Sequence, residues 1–321
     1  GTQNDPVANV SIDGITFKDA SYTYMDPHGL PSGGDWALQK QGAITLVGTQ
    51  GTVISNNLFT RLDGNAIFIG GYHRGLTITN NEFAFIGDSA MASWGDTSNA
   101  LNANGSLTLP EGYNVGPDGR GGNQNRGAVV TGNIAREIGL WQKQSSMWFQ
   151  AVTAGTQFRG NVFFNGPRAA FNNNDGFGGG HDLEGNLLVN TCRESGDHGP
   201  WNSWDRVPYI TEERHGPDKP SVIPKDVHIH NNFFLGNYHA ICAIDTDDGS
   251  AYLQIYENVL GYATAGLKSD FGGHDEVYRN NLLAYVGDCI MKGMNEDIYL
   301  QGHVLGYNDG FANNTCIYLN S

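Results

Sequence analysis

Charge is scarce in this chain. Only 16% of its 321 residues are Asp, Glu, Lys or Arg, and the imbalance is acidic: 33 acids against 18 bases, formal net charge −15. A sparse, negative surface excludes the electrostatic footprint of a nucleic-acid binder or of a protein held on an acidic membrane. It also works against a polyanionic substrate unless a local basic site intervenes. No run approaches the ~18 apolar residues of a membrane span. No secretory leader is visible. Four cysteines (Cys192, Cys242, Cys289 and Cys316) lack any metal-ligand spacing. Cys242 and Cys289 lie 47 residues apart, or two repeats, so their Cα atoms should be about 10 Å apart, too far for a bridge. Both are expected as buried free thiols. A leucine-rich consensus is missing, which removes the horseshoe repeats.

What is abundant is glycine (45 residues) and one recurring phrase, apolar-x-apolar-x-[Asn/Gly]-Asn-x-[Phe/Leu]. It reads VISNNLF (53–59), LTITNNEF (76–83), VVTGNIA (129–135), FRGNVFF (158–164) and LEGNLLV (183–189). It continues as VHIHNNFF (227–234), LQIYENVL (253–260), EVYRNNLL (276–283) and IYLQGHVL (298–305). The phase markers are Asn57, Asn81, Asn133, Asn161, Asn186, Asn232, Asn258 and Asn281, with His303 in the last slot. Their steps are 24, 52, 28, 25, 46, 26, 23 and 22, so the two long steps hold an extra coil or an excursion. A short strand phrase repeating every 20–30 residues is a solenoid signature. Stacking would let the Asn amides bond up the column. Phe59, Phe83, Phe163, Leu188, Phe234, Leu260, Leu283 and Leu305 would form an inward ladder that only neighbouring coils can bury. The expected fold is all-β: one right-handed parallel β-helix domain over 1–321, of about 9–11 coils. The chain opens on GTQNDP and closes on CIYLNS in mid-pattern, which reads as part of a longer protein.

Three Gly/Pro/Asn/Asp-rich inserts interrupt the pattern, at 24–42, 95–126 and 193–225. They read as loops that wall a groove on the solenoid. Counted from the phase-marking Asn, Trp94, Asp175, Asp197, Asp245, Asp247 and Asp270 fall 11–15 residues on, which places them in one sector. Asp175 and Asp197, one coil apart, could bring their carboxyls to the ~5 Å of a retaining glycosidase, while Asp197 with Asp245 would suit the wider inverting geometry. Close carboxylates split their pKa values into an acid and a base. Asp175 equally fits a plain Asp-Gly turn.

The stretch 192–206 is the densest in chemistry. Trp201 and Trp204 offer faces for sugar rings, and Arg206, Glu194 and Asp205 offer groups for hydroxyls. His198 could bind a hydroxyl or relay a proton. Trp94, Trp36, Asn173 and Lys268 complete the candidate substrate contacts. Each aromatic could instead pack beneath an insert, and Asp205 with Arg206 could simply pin its loop.

By its coil pattern the chain resembles the pectate-lyase-like β-helix superfamily of carbohydrate-active proteins. Five strings resemble glycoside hydrolase family 141 and its relatives: PSGGDWALQKQGA (31–43), LDGNAIFI (62–69), IGDSAMASWG (86–95), FNNNDGFGGG (171–180) and TCRESGDHGPWNSWDRVPY (191–209). That resemblance implies α-L-fucosidase or xylanase-type hydrolysis of plant or algal polysaccharides. Asp175, Asp197 and Asp205 are the positions to which its catalytic role would carry. It needs no cofactor or metal, takes a carbohydrate as partner, and places the protein extracellularly, secreted or at the cell surface. Two alternatives stay open. One is a uronan lyase or C5-epimerase, with Asp245, Asp247, Asp248 and Asp270 holding Ca²⁺ and Lys268 as base. Asp26-Pro27-His28 resembles the DPH of mannuronan epimerases, although Gly29 follows it. The other is a non-catalytic glycan-binding or structural module.

Overall fold

The phrase owes its shape to two adjacent residues. The slot before each phase-marking Asn adopts positive φ in every coil that carries it: Asn56 (54°), Asn80 (55°), Gly132 (65°), Gly160 (59°), Gly185 (67°), Asn231 (54°), Glu257 (58°), Asn280 (57°) and Asn313 (54°). Gly and Asn tolerate this left-handed corner best, which is why they dominate the slot. The following Asn then points inward. Asn57, Asn81, Asn133, Asn161, Asn186, Asn232, Asn258 and Asn281 each donate Nδ2–H to the Oδ1 of the next rung at 2.9–3.1 Å. The same Oδ1 accepts the backbone N–H of the rung before it, for instance Asn161 N to Asn186 Oδ1 at 3.0 Å. The column therefore satisfies a buried corner that would otherwise leave amides unpaired.

The computed structural model describes residues 1–20, 25–30, 36–99, 117–175, 178–205, 210–217, 219–236, 240–269, 273–292 and 308–319. It is the parallel β-helix expected from the repeat. Three parallel sheets each stack ten coil strands in chain order. We call them A, B and C in the order the chain visits them. The Asn corner joins B to C, and a corner of variable length joins C to the next A. The inward ladder runs up sheet C as Phe17, Phe59, Phe83, Ala135, Phe163, Leu188, Phe234, Leu260, Leu283 and Cys316. Phe17, Phe59 and Phe83 stack at 4.9 Å between centroids. From Phe59 to Leu283 every member is fully buried, each contributing roughly 1.5–3 kcal/mol where the side chain is large.

Several expectations change. Both long steps hold excursions and no extra coil. In the 52-residue step, Ser98–Asn99 pairs antiparallel with Pro117–Asp118 inside the insert. The insert read as a loop over 193–225 contains Trp201–Trp204, the sheet-A strand of coil 7. The last rung is Asn314, which accepts Asn281 Nδ2–H at 2.9 Å, and Cys316 is the ladder residue above Leu283. His303 and Leu305, expected in these places, lie outside the described residues. Cys289 is not a free thiol. It is bonded to Cys316, with Cα atoms 5.8 Å apart. Cys289 lies on the sheet-A strand of coil 10 and Cys316 on its sheet-C strand, so their separation of 27 residues falls within a single coil. Cys192 and Cys242 are buried and outside any disulfide.

The insert at 24–42 lies on the solenoid. Its Trp36 and Leu38 are buried against Phe68, Ala92, Phe149 and Trp204, which face outward from sheet A. His28 ties the same insert down through Asp88, with Nε2 3.3 Å from Oδ2, and that hydrogen bond raises its pKa. The N-terminal coils of sheet A thus carry a second apolar layer, and Trp36 packs beneath its insert.

Candidate active site

Sheet A changes character along its length. Its strands in coils 6 to 9 are Phe171–Asn174, Trp201–Trp204, Cys242–Asp247 and Ala265–Ser269. Register aligns Phe149 with Asn172, Asn202, Asp245 and Lys268 in one outward row. The next outward row aligns Ala151's side of the sheet with Asn174, Trp204 and Asp247. The outer face therefore turns from apolar to polar after coil 5. Side chains alternate along a strand, so Asp245 and Asp247 stand on the same face of one strand.

A linked network gathers there. Lys268 Nζ bonds Asp245 Oδ1 and Asp247 Oδ1, both at 3.0 Å. Asn202 Nδ2 donates to Asp245 Oδ2 at 3.0 Å, and His198 Nδ1 lies 3.2 Å from the same oxygen. The Arg168 guanidinium contacts His198 Nε2. Arg donates only, so Nε2 accepts and Nδ1 carries the proton given to Asp245. Asp197, 74% exposed, reaches within 3.9 Å of Nε2 from the solvent side.

The two carboxyls on the one strand behave oppositely. Asp245 is fully buried, which raises its pKa, but the His198 hydrogen bond and the Lys268 ammonium outweigh burial and hold it below the usual range. Asp247, with 17% of its side chain exposed, is pushed up to about 6 by burial and by the Asp245 charge. Lys268 is raised, because the two carboxylates outweigh its burial. Lys268 is thereby held as an ammonium, which contradicts its assignment as the base of a lyase or epimerase.

His198, Asp245 and Asp247 could offer metal ligand atoms within 4.8 Å of one another. Lys268 already places a cation between the two carboxylates, so the donor set fits an ammonium better than Ca²⁺. Asp248, also assigned to that ion, accepts the Trp204 indole N–H at 2.6 Å.

The other candidates disperse. Asp175 is fully buried at φ 50°, its N–H bonded to Trp204 O at 2.8 Å. It turns the corner, so it and the exposed Asp197 do not form an outward pair on neighbouring coils. Asp205 sits half-buried at the equivalent turn, with its N–H on Asp248 O. Trp201 and Asn173 face the coil interior, Trp201 beneath Ile244 and Asn173 beside Gln150 and Ser203. Neither can stack on or bond an external sugar. Trp204 faces outward but is buried beneath Trp36. Trp94 is half-buried, with the Lys40 ammonium 3.8 Å from its ring centroid. Glu194 is paired with Lys143 on the surface at 2.9 Å. Arg206 and Asp270 lie outside the described residues.

Arg168 and Asn202 escaped the sequence reading. Asn202 could have been found from its parity with Asp245 once the strand was placed; Arg168 carries no sequence signal.

No family model and no curated protein matches this sequence. Among solved structures, one titled "Glycoside hydrolase" aligns with 98% of this chain and 49% of its own at 11% identity and TM-score 0.53. The catalytic unit of a GH87 α-1,3-glucanase from Streptomyces thermodiastaticus aligns over the same shares at 12% identity and TM-score 0.46. The chain spans about half the length of each. At such identity the first likeness is one of fold.

Proposed function

We propose that this chain belongs to an extracellular glycan-acting protein and hydrolyses glycosidic bonds over the C-terminal half of sheet A. Asp247 is the proton donor. It is partly open to solvent, and its pKa of about 6 keeps a proton available to the leaving oxygen near neutrality. Asp197 is the exposed carboxylate that activates water. Asp245 stays ionised beside Asp247, and the Lys268 ammonium between the two holds Asp247 in place. The observation that carries this reading is the Asp245/Asp247 pair: two carboxyls on one face of one strand with pKa values driven apart. The fold shared with a glycoside hydrolase supports the substrate class by analogy only.

The test is release of reducing ends from a panel of neutral plant and algal polysaccharides. Asp247→Asn and Asp197→Asn should each lose roughly 10²–10⁴-fold in kcat while the melting temperature holds. Wild-type turnover in Asp247→Asn would sink the assignment. One observation favours a second reading, a non-catalytic module in which the network clamps the 193–205 loop: Asn172, Asn174, Asn202 and Asp245 are all buried. Under that reading, both variants lose stability and the wild type releases no sugar.

A further inference from the structure

A cavity of about 390 Å³ opens on the opposite half of the solenoid, at the corner where sheet C leaves coils 1 to 4. Its size is at the lower end of the ~300–1,000 Å³ of small-molecule sites. Phe85 and Trp141 line it together with Asp19, Arg61, Asp63 and Leu140. Trp141 is 55% exposed and Phe85 44%. Neither ring dangles. The Trp141 indole N–H donates to Asp63 Oδ1 at 3.1 Å, and its backbone N–H donates to Gly87 O at 3.0 Å. Gly87 is what admits the indole, since a Cβ there would stand 2.5 Å from Trp141 Cδ1. Phe85 projects from a left-handed corner (φ 59°) with the Arg136 guanidinium 5.3 Å from its centroid.

Two large aromatic surfaces, each anchored by a polar contact yet left in water, form a platform whose partial preorganisation lowers the ordering cost of binding. The surrounding polar groups choose the ligand. Arg61 is already paired with Asp19 at 2.7 Å, and Asp63 adds a second carboxylate, so the lining carries one more negative than positive charge. That disfavours uronates, sulfated sugars and phosphates. Carboxylate and guanidinium groups beside aromatic faces suit a ligand with axial C–H patches and equatorial hydroxyls. We infer that this corner is a second saccharide-binding site, specific for neutral pyranose chains and separate from the sheet-A network. Phe85 belongs to coil 3 and Asp245 to coil 8. Five coils at ~4.8 Å each set the two about 24 Å apart along the axis. The site does not require the sheet-A network to be catalytic.

The experiment is calorimetric titration with cello-, laminari-, xylo- and manno-hexaose at millimolar concentration, repeated with Trp141→Ala, Phe85→Ser and Asp247→Asn. At least one hexasaccharide should bind the wild type and Asp247→Asn equally. Its affinity should fall about tenfold or more, ~1.4 kcal/mol, in Trp141→Ala and measurably in Phe85→Ser. Both substituted side chains are exposed, and an unchanged melt confirms folding. The proposal is overturned if no neutral hexasaccharide binds, if Trp141→Ala binds as well as wild type, or if Asp247→Asn alone abolishes binding.

Discussion

Glu276 offers a direct test of how burial sets the energetics of the C-terminal coils. It lies on sheet B with its carboxyl inside the coil, fully buried, and one oxygen accepts the Tyr278 hydroxyl at 2.7 Å. Tyr278 Oη also lies 2.9 Å from the Lys268 carbonyl. A single hydroxyl proton cannot serve both. If Glu276 keeps its own proton it donates to Oη, and Tyr278 donates onward to the carbonyl. Burial accordingly raises Glu276 from 4.5 to about 8. Among the described residues, the charged group that faces it is Asp309, whose Oδ1 accepts the Glu276 backbone N–H at 3.2 Å and whose charge pushes the same way. A folded-state pKa above the unfolded value means that the native protein retains a proton the unfolded chain has released. Stability should therefore be greatest below pH 4.5 for this group and fall as pH rises, by ~1.4 kcal/mol per unit, levelling off near pH 8. The 3.5-unit interval corresponds to a loss of order 5 kcal/mol, comparable to the whole stability of many domains. Glu276→Gln keeps the shape and cannot ionise. Urea unfolding of both proteins from pH 4 to 9 should give difference curves that diverge upward with pH, the variant more stable by several kcal/mol at pH 9. Parallel curves within ~1 kcal/mol would refute the reasoning.

Other perturbations read other parts of the molecule. Asn186→Ala removes an amide that bonds Asn161, Asn232 and the Phe158 carbonyl; at ~1–3 kcal/mol for each stranded buried group, denaturant titration should show a loss of about 3–5 kcal/mol. Lys268→Met leaves Asp245 and Asp247 without their shared cation and should cost roughly 3–5 kcal/mol at pH 7. The cost should be smaller at pH 5, where Asp247 takes up a proton, as paired melts at the two pH values would show. If Asp247 is the proton donor, kcat/KM should decline tenfold per unit above about pH 6, and Asp247→Asn should abolish that limb.

The solenoid was legible because its corner is chemically demanding. Only a left-handed residue followed by a bonding amide closes the B–C turn, and that demand repeats in every coil from Asn57 to Asn281. Sheet A was not legible, because it follows a corner whose length runs from one residue (Gly287) to twenty-three (19–41). A count from the phase-marking Asn loses parity across such a corner, and one residue of drift exchanges inside for outside. This is why Trp201 and Asn173 read as surface groups and prove internal, and why Asp175 reads as an acid in a groove and proves a turn. Asp245, counted across a corner of six residues (236–241), lies on the outer face with Asp247 but is fully buried there. Cys289 was misjudged through the same corner logic: distance was reckoned between coils when the partner lay within one.

The asparagine column has a sense of direction. Every junction from Asn57 to Asn314 hands its amide proton the same way, toward the C-terminal end. Rotating any one of these amides by half a turn would set donor against donor on one side and acceptor against acceptor on the other. No rung can err alone; a misplaced coil must reverse all those beyond it or forfeit two contacts at once. The row therefore favours a single orientation and register for each turn of chain that joins it.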